Sequence, residues 1–185
     1  MLMHLCVEIY SKILKLRSDI LYKLLTNRGL KIGSNCSFQR NVYLDSQFPW
    51  LISIGNNVTL AMNVVVLAHD ASMKRKLGYS RIGKVNIGNN VFIGAGTIVL
   101  PNVTIGENSI IGAGSLVSNN IPPNVVAAGN PAKMLYTIEE FWSKHKSSMK
   151  HRPLYEENFT ISKNVSPEMR EQMVLQMVLG EGYIR

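Results

Sequence analysis

The chain has 185 residues, enough for one domain with appendages and a substantial core. Its hydrophobic fraction of 46% and charged fraction of 17% exclude a disordered polypeptide. A net charge of +8 and a pI near 9.6 predict an anionic partner, whether phosphate, nucleotide, acidic sugar, membrane surface or nucleic acid.

The N-terminal stretch is hydrophobic, but Glu8, Lys12 and Lys15 interrupt it. It lacks the unbroken apolar run of a bilayer span and the core and cleavage site of a signal peptide. Leu5, Ile9, Ile13, Leu16, Ile20 and Leu24 step by three and four, which predicts an amphipathic helix over residues 2–25. The expected role is a cap on the open end of the repetitive region that begins at residue 32; a peripheral membrane contact is the competing reading. Cys6 and Cys36 form neither a disulfide framework nor a metal motif, so a cytoplasmic setting is expected.

From residue 32 an internal repeat takes over. Aliphatic or aromatic residues stand six apart at Ile32, Phe38 and Leu44, at Ile54, Leu60 and Val66, and from Ile87 through Ile93, Val99, Ile105 and Ile111 to Val117. Four residues after each aliphatic comes a small or aliphatic residue, as at Val58, Val91, Val103 and Ser115. That alternation marks a short strand with one inward face. Three residues after all of these six-spaced residues but Leu44 and Val66 stands Asn or Gly, from Asn35 and Asn41 to Gly114 and Asn120, the types that best tolerate positive φ. Short strands joined by such corners coil into a parallel β-helix, three sides to a coil.

The period breaks again at length after His69, which stands where most other units carry Asn or Gly and is therefore expected at a left-handed corner. Taking three six-residue sides as a coil, about fifteen residues are inserted before Ile87. Ile82 to Asn86 is expected to resume the third side, leaving Asp70 to Arg81 as a basic loop thrown off the helix. A histidine at the root of a long loop suits general-base chemistry, because imidazole titrates near working pH. Asp70 either orients that imidazole or is a solvated turn residue.

Beyond Val117, Pro122 and Pro123 end the regular coils, and Gly129 and Pro131 set a turn ahead of a helix in "TIEEFWSKHK". A last helix is predicted in "SPEMREQMVLQMVLGEG", capped by Ser166 with Pro167 in its first turn and Gly180 at its end. Its Met169, Met173 and Met177 read as a packing stripe. His4, His145 and His151 have no ligand-like spacing. The chain thus divides into a cap (residues 1–31), a β-helix with its loop at 70–81 (residues 32–128) and a C-terminal segment (residues 129–185).

The run "IGNNVFIGAGTIVLPNVTIGENSIIGAGSLVSNNIP" resembles the hexapeptide-repeat acyltransferase family over roughly residues 32–133. The resemblance implies a left-handed β-helix, an all-β core working as a homotrimer, with acetyl-CoA as acyl donor and no metal. It implies His69 in "AHD" as catalytic base, and Asn63 in "LAMN" as a site residue similar to that of the galactoside and maltose branch. Ala95 and Ala113 match small residues that let pantetheine approach the backbone. Ser118 and Lys133, the latter in "GNPAK", match contacts nearer the diphosphate and adenosine phosphates. Asn119 and Tyr136 depart from the family, which often has cations there, so phosphate binding would rely on fewer cations or recruit others, such as Lys144 or Lys146.

The activity implied is O-acetylation of a carbohydrate hydroxyl, on a surface polysaccharide or nucleotide sugar. Acetylation of an antibiotic or of an amino sugar uses the same base and donor. A zinc carbonic anhydrase on this fold needs three converging histidines, and only His69 lies in the coils. A non-catalytic scaffold leaves His69 and "GNPAK" without a role, and no nucleic-acid motif accompanies the charge.

Overall fold

A computed structural model describes residue 16 and residues 19–185 of the chain. Two units divide after Ile138. In the first, each six-residue period supplies one short strand and one corner, so consecutive strands fall on successive faces. The first face stacks Lys31–Ile32, Ile52–Ile54, Val85–Ile87 and Val103–Ile105. The second stacks Ser37–Phe38, Thr59–Leu60, Phe92–Ile93, Ile110–Ile111 and Val125–Gly129. Tyr43–Leu44, Val65–Val66, Ile98–Val99 and Leu116–Val117 make the third. All these neighbours pair in parallel, as a coil climbing by one turn requires. Ala132–Thr137 runs antiparallel instead, closing the second face against Val125–Gly129.

The aliphatics stack inside in register, Leu60 on Ile93 on Ile111, each fully buried. Burial of one such side chain is worth about 1.5–3 kcal/mol, so the stack is the main source of cohesion. Thr97, Ser109 and Ser115 are buried among them and bond the carbonyls of Gly112, Pro122 and Gly112 respectively. These hydroxyls therefore carry no unsatisfied-donor cost.

At the edge between first and second faces, Asn57, Asn90, Asn108 and Asn124 hold φ of 56–60°. Their amides form a ladder, each donating to the next at 2.9–3.0 Å. The same residue type thus turns the chain and ties successive coils. Asn120 departs from the expectation: it is not left-handed, and its Oδ1 instead accepts from Thr104 N–H at 2.8 Å. The two prolines after it move the next left-handed corner to Asn124.

Residues 19–27 are helical and lead into the first coil. The expected stripe at Leu5, Ile9 and Ile13 lies outside the described residues. Of its remainder, Leu16, Ile20 and Leu24 are exposed, and it is Leu25 that enters the core. Tyr22 sets that rotation, its ring edge-on to Phe38 and its hydroxyl donating to the Val42 carbonyl at 3.4 Å. Among the described residues no helix is long and apolar enough to cross a membrane.

The second unit begins at Glu139, within the helix Ile138–Ser148. A parallel pair, Leu154–Tyr155 with Tyr183–Ile184, ties the ends of the segment together. Between them Pro167–Gln176 is helical, with the Ser166 side chain accepting from Met169 N–H as its N-cap. Met169 and Met173 are half-buried and Tyr155 is buried. His145 is held by the Tyr183 hydroxyl at 3.0 Å.

Candidate active site

Two chain excursions leave the same edge of the prism, between third and first faces. In the first coil, residues 45–51 pass through a 3₁₀ turn, Pro49–Leu51. In the second, Ile54 pairs with Ile87, 33 residues on, where the uninterrupted coil from Ile87 to Ile105 takes 18; the difference is the fifteen-residue insertion. The parallel register Leu44↔Val66 stacks the two points of departure. That stacking brings together two groups that are 24 residues apart in sequence.

Those groups are Asp45 and His69. Asp45 Oδ2 lies 2.5 Å from His69 Nδ1 and also accepts from Ala68 N–H at 2.9 Å, while Oδ1 accepts from Gln47 N–H at 3.0 Å. The carboxylate is fully buried, and the imidazole is 25% exposed beside the Phe48 ring, 5.3 Å between centroids. Burial alone would raise the Asp45 pKa. The hydrogen bonds from His69, Ala68 and Gln47, with the charge of His69, outweigh it and hold the carboxyl below its ordinary value. An ionised carboxylate on Nδ1 fixes the tautomer in which Nδ1 carries the proton. Nε2 makes no hydrogen bond among the described residues and is left with its lone pair, the arrangement of an oriented general base.

His69 does not occupy a left-handed corner. His69–Asp70 pairs antiparallel with Arg81–Ile82, and that ladder needs extended backbone. The chain leaves the coil as a two-stranded ribbon instead of turning. Because Ile82 belongs to the ribbon, the first face resumes at Val85, later than the sequence spacing suggests. Between the ribbon strands a short helix, Lys74–Leu77, is closed by Gly78 at φ 79°.

Asp70 is not on the imidazole either. Its carboxylate accepts from Ser72 N–H at 2.9 Å and from Arg81 at 3.3 Å. In an extended strand neighbouring side chains point to opposite faces, so Asp70 turns away from the face His69 uses. The hydrogen bonds from Ser72, then the Arg81 charge, lower its pKa against slight desolvation. Asp45 was legible in one respect: of the residues directly following the repeat aliphatics, it is the only ionisable one, where Gly33, Gly55, Gly88, Gly94 and Gly106 stand elsewhere.

The other expected residues divide between two edges. Asn63, at φ 58°, accepts from Asn41 at 3.2 Å on the edge between second and third faces. It helps line a cavity of about 470 Å³ with Gln39, Arg40, Asn41 and Met62. Ala95 and Ala113 follow on that edge in later coils, with Gly114 N–H bonded to the Ala95 carbonyl at 2.8 Å. Beside them the space at Gly96 and Gly114 is open, with no atom within 4 Å of where a Cβ would stand. Lys133 is exposed opposite Ala128 in the closing antiparallel pair, with no carboxylate partner among the described residues. Ser118 lies on the other edge, that of His69, with Asn119 donating to its hydroxyl at 3.2 Å. Among the described residues no three His, Cys, Asp or Glu side chains converge as a metal site.

The bacterial transferase hexapeptide (six repeats) description matches residues 84–119, and the hexapeptide repeat of succinyl-transferase matches residues 52–68. Protein CapG of Staphylococcus aureus is 40% identical over 146 residues, covering 74% of this chain and 81% of its own. The galactoside O-acetyltransferase of Escherichia coli is 43% identical over 115 residues, 58% of this chain and 57% of that one. Among solved structures, a maltose O-acetyltransferase from Clostridium difficile superposes with a TM-score of 0.51 at 32% identity, covering 63% of this chain and 73% of that chain. Repeat, coil and relatives agree on a left-handed β-helix. The chain belongs to the hexapeptide-repeat family of acyl-CoA-dependent acyltransferases.

Proposed function

We propose that the chain transfers an acetyl group from acetyl-CoA to a hydroxyl of a carbohydrate acceptor, a surface polysaccharide or nucleotide sugar, with His69 as general base. The observation that carries this reading is the pairing of a buried, ionised Asp45 with Nδ1 of a partly exposed His69 whose Nε2 is unengaged among the described residues. A sugar hydroxyl is a weak nucleophile until a base accepts its proton. Nε2 takes that proton as the oxygen bonds to the thioester carbonyl carbon. When the carbon–sulfur bond breaks, the same proton passes from the imidazolium to the departing sulfur, giving free CoA thiol and the acetyl ester. Asp45 stays ionised and supports the transient imidazolium. No Ser or Cys side chain hydrogen-bonds His69 among the described residues, which favours direct attack over a covalent acyl-enzyme.

The donor fits the edge between second and third faces. Ala95 and Ala113, with the open space at Gly96 and Gly114, leave the backbone approachable by a narrow pantetheine arm, and Lys133 offers a point charge for phosphate. Ser118 would serve from the other edge. Because His69 and Ser118 lie on one edge while Asn63, Ala95, Ala113 and Lys133 lie on another, a complete site calls for the His69 edge of one copy to face the second edge of its neighbour. A heterologous contact on a three-sided prism closes as a homotrimer. Asn63 and its cavity would then hold acceptor or donor beside a neighbouring copy's histidine. The carbohydrate class draws on the galactoside and maltose acceptors in the names of two relatives. A cytoplasmic site suits an acyl-CoA donor.

The test is free-thiol release from acetyl-CoA with a panel of nucleotide sugars, oligosaccharides and acetylatable antibiotics, wild type beside His69→Ala. Turnover with a carbohydrate, reduced about a hundredfold or more in the variant, is expected. Turnover only with an antibiotic, or a His69→Ala enzyme of undiminished rate, would overturn the acceptor or the base assignment respectively.

A further inference from the structure

The apolar stripe that helical spacing marks on the N-terminal segment is not the side that the fold buries. Ile20 and Leu24 stand four apart on one face of the helix at residues 19–27, with Leu21 between them and Leu16 four residues upstream. All four are 44–61% exposed. Leu25 and Tyr22, on the other side, already make the contact with the first coils. In the sequence the same spacing continues upstream through Ile13, Ile9 and Leu5, which lie outside the described residues. A helix that only closed the end of the coil would turn polar residues to solvent. A contiguous row of large aliphatics there marks an interaction surface.

The surroundings of the stripe select the partner. Residues 9–44 hold seven Lys or Arg against a single acid, Asp19, so this stretch carries +6 of the chain's net +8. Lys23 on the helix, and Arg28 and Lys31 just beyond it, are exposed and make no ion pair among the described residues. Trp50 stands at the same end of the molecule. Its Cβ would lie 2.9 Å from a Cβ built on Gly29, immediately past the helix, and it is 57% exposed. Nucleic acid would answer the charge but leave the aliphatic face in water. A second copy of the chain would cover the aliphatics but set like charge against like charge. An anionic bilayer surface meets both requirements. Aliphatic side chains enter the acyl boundary, Lys and Arg stay with the phosphates, and Trp sits at headgroup depth.

We infer that the exposed side of the N-terminal helix, with Lys23, Arg28, Lys31 and Trp50, is a docking surface for an anionic phospholipid membrane. The helix lies in the interface plane, apolar face down, and Asp19 is the one acid of the stretch that opposes the contact. This surface does not depend on the acetyltransferase reading.

Full-length protein, without acetyl-CoA, is sedimented with vesicles of phosphatidylcholine alone and of phosphatidylcholine with about 30% phosphatidylglycerol. Partition onto the mixed vesicles is expected to be about tenfold stronger or more, and to weaken with added salt. Ile20→Ser/Leu24→Ser and Lys23→Gln/Arg28→Gln should each lower it about tenfold or more. Unchanged melting temperatures in both variants show that they are folded. In Trp142→Phe, where Trp50 is the sole tryptophan, emission should shift to the blue on the mixed vesicles. Equal partition onto both vesicle types, wild-type partition of either folded variant, an unshifted Trp50 emission, or no partition at all overturns the inference. A smaller oligomer in Ile20→Ser/Leu24→Ser by sedimentation velocity also overturns it, because the stripe would then be an interface between copies. With no acyl donor present, none of these outcomes bears on whether His69 supports acyl transfer.

Discussion

Asp45→Asn is the most informative single change. The carboxylate receives three N–H groups, from His69 and Ala68 on Oδ2 and from Gln47 on Oδ1. A carboxamide of the same shape has one oxygen and one NH₂. With its oxygen toward His69, the NH₂ confronts the Gln47 N–H donor, and the charge that supports the imidazolium is gone. With the amide flipped, NH₂ confronts Nδ1, the ring proton moves to Nε2, and the base loses its lone pair. Either way a buried donor is stranded, at about 1–3 kcal/mol of stability. Positioned general bases contribute about 10²- to 10⁴-fold, so kcat is expected to fall by about a hundredfold or more. KM for acetyl-CoA should stay within about threefold, since Asp45 touches none of the proposed donor contacts.

The pH dependence follows from the sign of the Asp45 shift. Its folded pKa is depressed, so its contribution to stability is complete above the ordinary aspartate value near 4 and fades as pH falls through the lower folded value. Urea denaturation of wild type and Asp45→Asn should therefore differ most near pH 7, and the gap should narrow in strong acid. A variant with kcat within about threefold of wild type, and an equal stability gap at both pH values, would falsify the assignment of Asp45 as the orienting group.

Asp70→Asn is expected to leave kcat within about threefold, because that carboxylate serves Ser72 and Arg81; a loss as large as that of Asp45→Asn would transfer the orienting role to Asp70. At the corner ladder, Asn90→Gly should cost only the side-chain bonds to Asn57 and Asn108, about 0.5–1.5 kcal/mol each. Asn90→Ala should cost about 1–2 kcal/mol more, for left-handed backbone at φ 56°; equal urea midpoints for the two variants would remove the conformational part of this account. A Cβ on Gly94 would stand 2.5 Å from the Ala113 backbone nitrogen, so Gly94→Ala should lower stability by about 1–3 kcal/mol as coils are forced apart. A melting temperature unchanged by that substitution would mean the coils are less tightly stacked than described.

The parts of this protein legible without coordinates are those that repeat. Six-residue spacing from Ile87 to Val117 and Asn or Gly at each corner specify strand, turn and coil locally, and every unit restates the same instruction. The size and edge of the insertion after Val66 come from the same count, because the register resumes with Ile87 on Ile54. The N-terminal helix was less legible: Ile20 and Leu24 satisfy helical spacing as well as Leu25 does, and only the position of Phe38 beneath Tyr22 selects which side is buried.

The chemistry of His69 depended on contacts that no local pattern encodes. Sequence adjacency offered Asp70 as one candidate partner, yet strand geometry turns neighbouring side chains apart, and Asp70 goes to Ser72 and Arg81. Asp45 reaches the imidazole from 24 residues away because coil stacks on coil, placing Leu44 on Val66 at the edge where both excursions depart. The repeat by itself determined that there is a β-helix and where it is interrupted, since short-range periodicity dictates both. Only the tertiary structure decided which carboxylate meets the histidine and which edge each expected site residue occupies, because those depend on the stacking of separate coils.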